Sequence, residues 1–170
     1  MPRAASGPSQ RLSSQTAVAG ANDRRADEME GVGCRAGVQD NERTIVTNEE
    51  IVNTFMARIT AMDMDGALEL VSDDIEYDNV PMGPVHGPDG IRGVLGQLDG
   101  TVDKLEWVIH RQVASGDLVL NERTDRFGKG DLWADLPVAG LFEVHDGKIT
   151  LWRDYFDMTT MMTELGKLSA

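Results

Sequence analysis

Apolar residues recur at helical spacing directly after residue 45, where the first predicted element begins. Thr47 and Glu50 have the spacing of a capping box, in which the two side chains bond each other's backbone N–H groups across the first turn. The apolar positions that follow lie three or four apart, which predicts an amphipathic helix. Its apolar face contains Ile51, Phe55, Ile59 and Met62. Asp65 is predicted to cap a second, shorter helix with these apolar residues: Ala67, Leu68, Leu70 and Val71.

A strand, a loop and a third helix are predicted next. Residues 75–80 have the composition of a strand, and residues 81–84, which are rich in proline and glycine, are predicted to form a loop at the mouth of a pocket. Gly87 and Pro88 begin a helix that continues to about Leu98. Proline is favoured in the first helical turn because its missing N–H would have no partner there.

From Leu105 onward the pattern changes to a period of two, which is typical of β-strands. Turn residues divide this region into four predicted strands: about 105–110, 118–127, 132–144 and 149–156. The third of these is expected to bend or bulge near Pro137 and Gly140, and Asp146-Gly147 favours a type I′ hairpin turn. Asp157 is predicted to cap a last helix that extends to about Leu165.

The order of these elements predicts an α+β fold. Helices come first and hairpin-linked strands follow, an order that favours an antiparallel or mixed curved sheet with helices packed against one face. The helices and the concave face of the sheet are expected to enclose a cavity. Residues 45–170 are predicted to form this one domain.

Residues 1–44 have a different composition and are predicted to be disordered. They contain no aromatic residue and few large aliphatic ones, so they cannot bury enough apolar surface to offset the entropy of ordering. The single cysteine, Cys34, lies in this segment. With one cysteine there is no intrachain disulfide, which favours a reducing compartment such as the cytoplasm.

The charge of the chain argues against two classes of partner. The formal net charge is -13, and the six basic and six acidic residues of segment 1–44 place the whole excess in the predicted domain. Nucleic acid and anionic membranes would repel such a surface. The apolar runs are also far shorter than the ~20 residues of a membrane helix. The three histidines, His86, His110 and His145, are scattered and predict neither a metal site nor a histidine base.

Candidate chemistry comes from polar residues on strands that are otherwise apolar. Tyr77 and Asn79 lie two apart, as do Arg123 and Asp125, so each pair shares one face of its strand. Asp154 lies between two aromatic residues on the same face of the last strand. Burying such groups is unfavourable unless they are paired, so they mark the most informative place for a site.

Each element of this set also has an ordinary structural explanation. Arg123 and Asp125 on one buried face fit a structural ion pair, and Asp154 could pair with Arg153. Tyrosine is common in strands, and asparagine is common near the ends of strands. Only the combination of all five residues favours a catalytic interpretation.

The five residues lie in motifs that resemble the limonene-1,2-epoxide hydrolase family. The resemblance covers roughly residues 49–165 and depends on three segments: Tyr77-Asp78-Asn79, Glu122-Arg123-Thr124-Asp125, and Gly147-Lys148-Ile149 continuing into Trp152-Arg153-Asp154-Tyr155-Phe156-Asp157. It implies a cone-shaped fold with a curved mixed sheet, shared with nuclear transport factor 2, ketosteroid isomerase and SnoaL-like cyclases. It also implies a homodimer that hydrolyses an epoxide to a vicinal diol without a cofactor.

The resemblance implies a role for each of the five residues. Asp154 corresponds to the general base, and Tyr77 and Asn79 to the groups that hold the attacking water. Asp125 corresponds to the acid that protonates the epoxide oxygen, with Arg123 bound to both aspartates. This chemistry needs one ionised and one protonated carboxyl at neutral pH, and two carboxyls near one arginine in an apolar pocket provide a way to separate their pKa values.

The expected substrate is a lipophilic epoxide of the terpene, sterol or fatty-acyl type. An apolar pocket wall is predicted from these residues: Met56, Ile59, Leu98, Phe127, Leu136, Val138, Phe156 and Met161. Two alternatives remain at this point. One is an isomerase or polyketide cyclase on the same scaffold, and the other is a non-catalytic ligand-binding or dimerisation module.

Overall fold

The computed structural model describes residues 46–169. The predictions for the disordered segment, for Cys34 and for a cytoplasmic location depend on residues outside this range and stay predictions. The described residues form these elements: α1 (Asn48–Thr60), α2 (Met64–Leu68), β1 (Val71–Asn79), β2 (Gly83–His86), α3 (Gly87–Leu95), β3 (Lys104–Ser115), β4 (Leu118–Lys129), β5 (Leu132–His145), β6 (Lys148–Tyr155) and α4 (Met158–Gly166).

All six strands belong to one open, curved sheet. Its strand order is β2-β1-β6-β5-β4-β3, so the first long strand lies beside the last one. β1 and β6 run parallel, whereas every other neighbouring pair is antiparallel. The sheet is therefore mixed, and the predicted α+β class is confirmed.

Among the described residues, no helix is both long enough and apolar enough to span a membrane.

Helix α1 packs its apolar face on the sheet. Phe55 and Ile59 are buried, and the side chains of Thr47 and Glu50 form the predicted capping box. Met62 was expected on the same face, and this prediction is wrong. The helix ends before it, and Met62 has a φ of 58° and is 53 % exposed. A left-handed backbone turns the chain here towards α2.

The second helix and the first strand begin at different residues than predicted. Asp63, and not Asp65, is the N-cap of α2, because its carboxylate accepts the backbone N–H of Gly66. Asp65 instead pairs with Arg92 of α3. Val71, which was placed in the helix, is the first residue of β1. Leucine and valine occur in both helices and strands, so the sequence does not decide between the two structures here. Pairing with the neighbouring strand decides it.

Two further predictions about the strands need correction. Residues 83–86 form the short strand β2 against β1, so only a tight turn remains of the expected loop. The expected bulge near Pro137 and Gly140 is absent, because the pairing of β4 with β5 is unbroken there; the irregularity of β5 follows Glu143. Asp146 and Gly147 both have positive φ, as the predicted type I′ turn requires.

Two apolar clusters fill the concave side of the sheet. One lies under α1 and includes Phe55, Phe142 and Trp152. The other lies near α4 and includes Phe127, Leu136 and Val138. The candidate site occupies the region between them.

Candidate active site

The strand register brings the polar residues into neighbouring rows across the sheet. Asn79 of β1 lies beside Asp154 of β6, Asp154 beside Gly140 of β5, and Gly140 beside Asn121 of β4. Because all these residues point to the concave face, residues that are distant in sequence become side-by-side neighbours.

All five predicted site residues are buried together. Asn79, the most exposed of them, is 9 % exposed, and Arg123 is only 1 % exposed. On β4, Arg123 and Asp125 point inward while Thr124 does not. The suggested pairing of Asp154 with Arg153 is wrong. Arg153 lies on the other face and binds Glu76 and Asp78.

Arg123 connects the two aspartates directly. Its Nε donates to Asp125 Oδ1 at 2.7 Å and its Nη2 donates to Asp125 Oδ2 at 3.1 Å. The same Nη2 donates to Asp154 Oδ2 at 2.6 Å. Its guanidinium also lies 5.3 Å from the ring centre of Trp107, a cation–π distance. One buried cation thus faces two carboxyl groups.

Gly140 provides the space through which Arg123 reaches Asp154. The arginine starts on β4 and the aspartate on β6, with β5 between them. A Cβ atom at residue 140 would lie 2.2 Å from Arg123 Nη1 and 3.0 Å from Asp154 Oδ1. Any side chain there would displace the guanidinium, so this glycine is required for space and not for backbone conformation.

Tyr77 and Asn79 lie on the strand next to that of Asp154. Asn79 Nδ2 donates to the Tyr77 hydroxyl at 2.8 Å, which leaves the hydroxyl proton free to donate elsewhere. The Tyr77 ring stacks on Trp152 with 3.9 Å between ring centres. Asp154 Oδ1 is buried and has no hydrogen-bond partner among the described residues. A water-sized ligand would find both donors and an acceptor here.

Burial and mutual charge shift the pKa values in this site. Burial raises the pKa of Asp125 to about 6, against the opposing effect of Arg123, and the charge of Asp154 raises it further. Burial, assisted by the charge of Asp154, also raises the pKa of Tyr77. For Arg123, burial alone would lower the pKa, but the charges of Asp154 and Asp125 outweigh it and raise the value. Arg123 therefore stays charged, and Asp125 binds a proton at higher pH than a free aspartate does.

A cavity of about 210 Å³ opens onto these residues. Tyr77, Asn79, Asp125 and Asp154 contribute to its wall. Most of the remaining wall is apolar, and six predicted pocket residues belong to it: Leu98, Phe127, Leu136, Val138, Phe156 and Met161. The predictions for Met56 and Ile59 are wrong. Met56 is packed in the core under α1, and Ile59 lines a neighbouring cavity that contains none of the five polar residues.

Several residues of the site were not predicted from the sequence, and four of them surround the polar side chains. Asn121 Oδ1 accepts a hydrogen bond from Arg123 Nη1 at 3.1 Å. Gly140 leaves space for the guanidinium, and Trp107 and Trp152 belong to the cavity wall. Asn121 could have been found by the two-residue spacing that associates Arg123 with Asp125. Gly140 has no comparable signal, because its importance depends on residues from two other strands.

Within residues 46–169, no group of three or more histidine, cysteine, aspartate or glutamate side chains is arranged to hold a metal ion. The two aspartates of the site already face the guanidinium of Arg123. The polar groups that the site offers are two carboxyl groups, a guanidinium, a tyrosine hydroxyl and an amide.

The chain is similar to known proteins over most of the described residues. The family model described as the limonene-1,2-epoxide hydrolase catalytic domain matches residues 46–167. Epoxide hydrolase EphG of Mycobacterium tuberculosis is 40% identical over 114 residues, which cover 67% of this chain and 76% of that protein.

Solved structures with a similar fold were also found. The structure of an LEH-like epoxide hydrolase of M. tuberculosis is 38% identical, with a TM-score of 0.62, and the match covers 72% of this chain and 92% of that one. An NTF2-like protein of Cytophaga hutchinsonii is 20% identical, with a TM-score of 0.59, and covers 71% of this chain and 98% of its own. The second similarity shows the NTF2-like fold alone.

Proposed function

The chain belongs to the limonene-1,2-epoxide hydrolase family and is an epoxide hydrolase, and from this premise we propose that it converts a lipophilic epoxide to a vicinal diol by direct attack of water. The observation that carries the proposal is the single guanidinium of Arg123, bound to Asp154 at 2.6 Å and to Asp125 at 2.7 Å beside an apolar cavity. One buried cation balances the charge of only one carboxylate, so burial favours the protonated form of the second carboxyl.

Asp154 is the proposed general base. Its Oδ2 is held by Arg123, while its buried Oδ1 has no partner among the described groups and is available to a water molecule. The Tyr77 hydroxyl and the Asn79 amide, held to each other, supply the other contacts to that water. Three contacts orient one lone pair of the water oxygen towards the cavity, as an in-line attack needs.

Asp125 is the proposed general acid. Its pKa, raised to about 6, leaves a larger protonated fraction near neutrality than a free aspartate has, and it lies in the cavity wall. The reaction balances without any further reagent. Asp154 takes a proton from water, the water oxygen bonds to an epoxide carbon, the C–O bond of that carbon breaks, and the oxygen that leaves takes the proton of Asp125. A proton then returns from Asp154 to Asp125 before the next turnover.

The cavity supports a lipophilic substrate of moderate size. Apart from the polar residues at one end, its wall consists mainly of aliphatic, aromatic and methionine side chains. Such a surface favours the hydrocarbon part of a substrate, and the polar end receives the epoxide. Met82 and Met161 give part of this wall an adaptable shape.

A single turnover in ¹⁸O-labelled water tests direct attack. With enzyme in excess over limonene-1,2-epoxide, one ¹⁸O atom is expected in the diol, because water and not a carboxylate bonds to the epoxide carbon. Mass spectrometry of the diol and of peptides that contain Asp125 and Asp154 measures where the label goes. Unlabelled diol together with label in either aspartate would instead demonstrate an ester intermediate.

We further propose that the protein forms a homodimer through the convex face of the sheet. Exposed apolar residues lie together there: Val113 is paired with Leu120, and Ala139 with Tyr155, on neighbouring strands. Leu120 and Tyr155 are 42 % and 48 % exposed. Exposed apolar residues on one face of a sheet are typical of an interface, and a second copy would place the same face against itself.

Leu120→Glu is expected to convert the dimer to a monomer, because a charge at the centre of an apolar interface is desolvated without a partner. Light scattering during size-exclusion chromatography measures the mass, which for the parent is expected to be twice the 18.6 kDa of the chain. Met162→Glu is the matched control, since Met162 is 64 % exposed on α4, away from this face. A parent that elutes as a monomer would contradict the proposal.

A further inference from the structure

The guanidinium of Arg123 has a third partner that the proposed reaction does not use. Nε and Nη2 are occupied by the two aspartates, and Nη1 donates to Asn121 Oδ1 at 3.1 Å. Asn121 is 5 % exposed and lies two residues before Arg123 on the same inward face of β4. Since Arg123 is only 1 % exposed, Nη1 would otherwise be a buried donor without an acceptor.

The guanidinium of Arg123 lies between Asn121 and Asp154 and is hydrogen-bonded to both. Gly140 lies between the two residues in the sheet, and a Cβ atom there would lie 2.2 Å from Nη1 and 2.8 Å from Asn121 Oδ1. The guanidinium therefore crosses β5 directly over the glycine. The rotation of the guanidinium in its own plane is set by its hydrogen bonds to Asp125 and Asn121 on β4 and to Asp154 on β6.

Asn121 is itself held by a polar network that extends to the surface. Its Nδ2 donates to Gln112 Oε1 at 3.3 Å, and Gln112 Nε2 donates to Asn53 Oδ1 at 2.9 Å and to Glu49 Oε1 at 3.1 Å. Gln112 is the cross-strand neighbour of Asn121 on β3, whereas Asn53 and Glu49 belong to α1. These bonds direct the amide oxygen of Asn121 towards Arg123.

We propose that Asn121 is a positioning residue for epoxide hydrolysis, acting through Arg123. By holding Nη1, it keeps Nη2 within hydrogen-bond distance of both Asp125 and Asp154, so that one cation acts on both carboxyls. A neutral acceptor suits this position, because it binds the guanidinium without adding a third negative charge. The inference rests on the proposed roles of the two aspartates and adds the residue that fixes their common partner.

Two substitutions that keep the number and branching of the heavy side-chain atoms test the role. Asn121→Leu removes the acceptor, and kcat is expected to fall about tenfold or more with a smaller change in KM, because the guanidinium is then held on the β4 side by Asp125 alone and can turn relative to Asp154. Asn121→Asp keeps the acceptor but adds a charge near Asp125 and Asp154. The alkaline limb of its pH–rate profile is expected to move upward by about one pH unit, since a nearby negative charge raises the pKa of a carboxyl.

Val119→Ala is the matched control for a purely structural effect. Val119 is fully buried on the same strand and the same face, but it packs in the core under α1 and is not in the cavity wall. Its substitution is expected to lower the melting temperature while kcat stays within about twofold of the parent value. A stability loss alone would therefore not reproduce the effect expected of Asn121→Leu.

Two results would overturn the inference. One is Asn121→Leu with a kcat within twofold of the parent. The other is Asn121→Asp with a pH profile that superimposes on that of the parent, which decides the matter if the leucine variant does not fold. Asp154→Asn, measured in the same assay with limonene-1,2-epoxide, separates this failure from that of the proposed function. An inactive Asp154→Asn beside an unaffected Asn121→Leu contradicts the role of Asn121 only, whereas an active Asp154→Asn contradicts the proposed base.

Discussion

Asp154→Asn is expected to lower kcat by about a thousandfold or more. General-base catalysis contributes roughly 10²–10⁴-fold, and an amide nitrogen or oxygen cannot take the proton of the attacking water. The substitution also acts on the acid. Because the charge of Asp154 helps to raise the pKa of Asp125, its removal leaves Arg123 to lower that pKa, so that less of the acid is protonated at neutral pH.

The fold is expected to survive this change. Asparagine has the volume of aspartate and keeps an oxygen for Arg123 Nη2, and Arg123 retains its two bonds to Asp125. Diol formation measured by chromatography, with circular dichroism and a melting curve, checks both statements. Asp74→Asn is the matched control, because Asp74 is exposed on β1 and outside the cavity wall. Turnover of Asp154→Asn near the parent rate would exclude Asp154 as the base.

Asp125→Asn is expected to lower kcat by about a hundredfold or more. Asparagine is a close mimic of the protonated carboxyl, since it is neutral and still has a hydrogen-bond donor. It cannot transfer that proton to the oxygen that leaves the epoxide. The variant therefore separates two contributions: binding of the epoxide oxygen is retained, so KM should change little, while the proton transfer is lost.

The pH dependence provides a second measurement of the same role. The pKa of Asp125 is raised to about 6, so the protonated, active form dominates below that pH and is lost above it. We expect kcat/KM of the parent to fall towards a tenfold loss per pH unit as the pH rises through this value. A bound apolar substrate excludes water and raises the pKa further, so the corresponding limb of kcat should lie at higher pH.

Asp125→Asn should have no such limb, because the group that titrates has been removed. The residual rate is therefore expected to vary little across the range in which the parent loses activity. A parent profile that stays flat from pH 6 to pH 9 would contradict a protonated Asp125, whatever the rate of the variant.

Much of the fold was predictable from local patterns. The capping box at Thr47, the type I′ turn at Asp146-Gly147 and the cap of α4 at Asp157 each involve residues within one turn of each other, and all three were confirmed. The errors have a common cause. Val71 and residues 83–86 have sequences that fit more than one local structure, and they become strands because β6 or β1 offers them partners.

The candidate site was predictable to a similar extent. The period of two along a strand put Arg123 and Asp125 on the same face of one strand, and Tyr77 and Asn79 on the same face of another strand. The same spacing could have indicated Asn121. It could not explain Gly140. A bend or bulge of the strand was expected near Gly140, yet the strand pairing is regular there. The glycine matters because Arg123 passes over it to reach Asp154.

The sequence by itself determined which side chains leave each strand on the inward face, because that depends only on neighbours two residues apart. Tertiary structure decided which of these side chains meet. The parallel pairing of β1 with β6 brings Asn79 beside Asp154, and the register of β4, β5 and β6 places Gly140 between Asn121 and Asp154. The raised pKa of Asp125 follows from the same assembly, because burial and the charge of a residue 29 positions away exist only in the folded sheet.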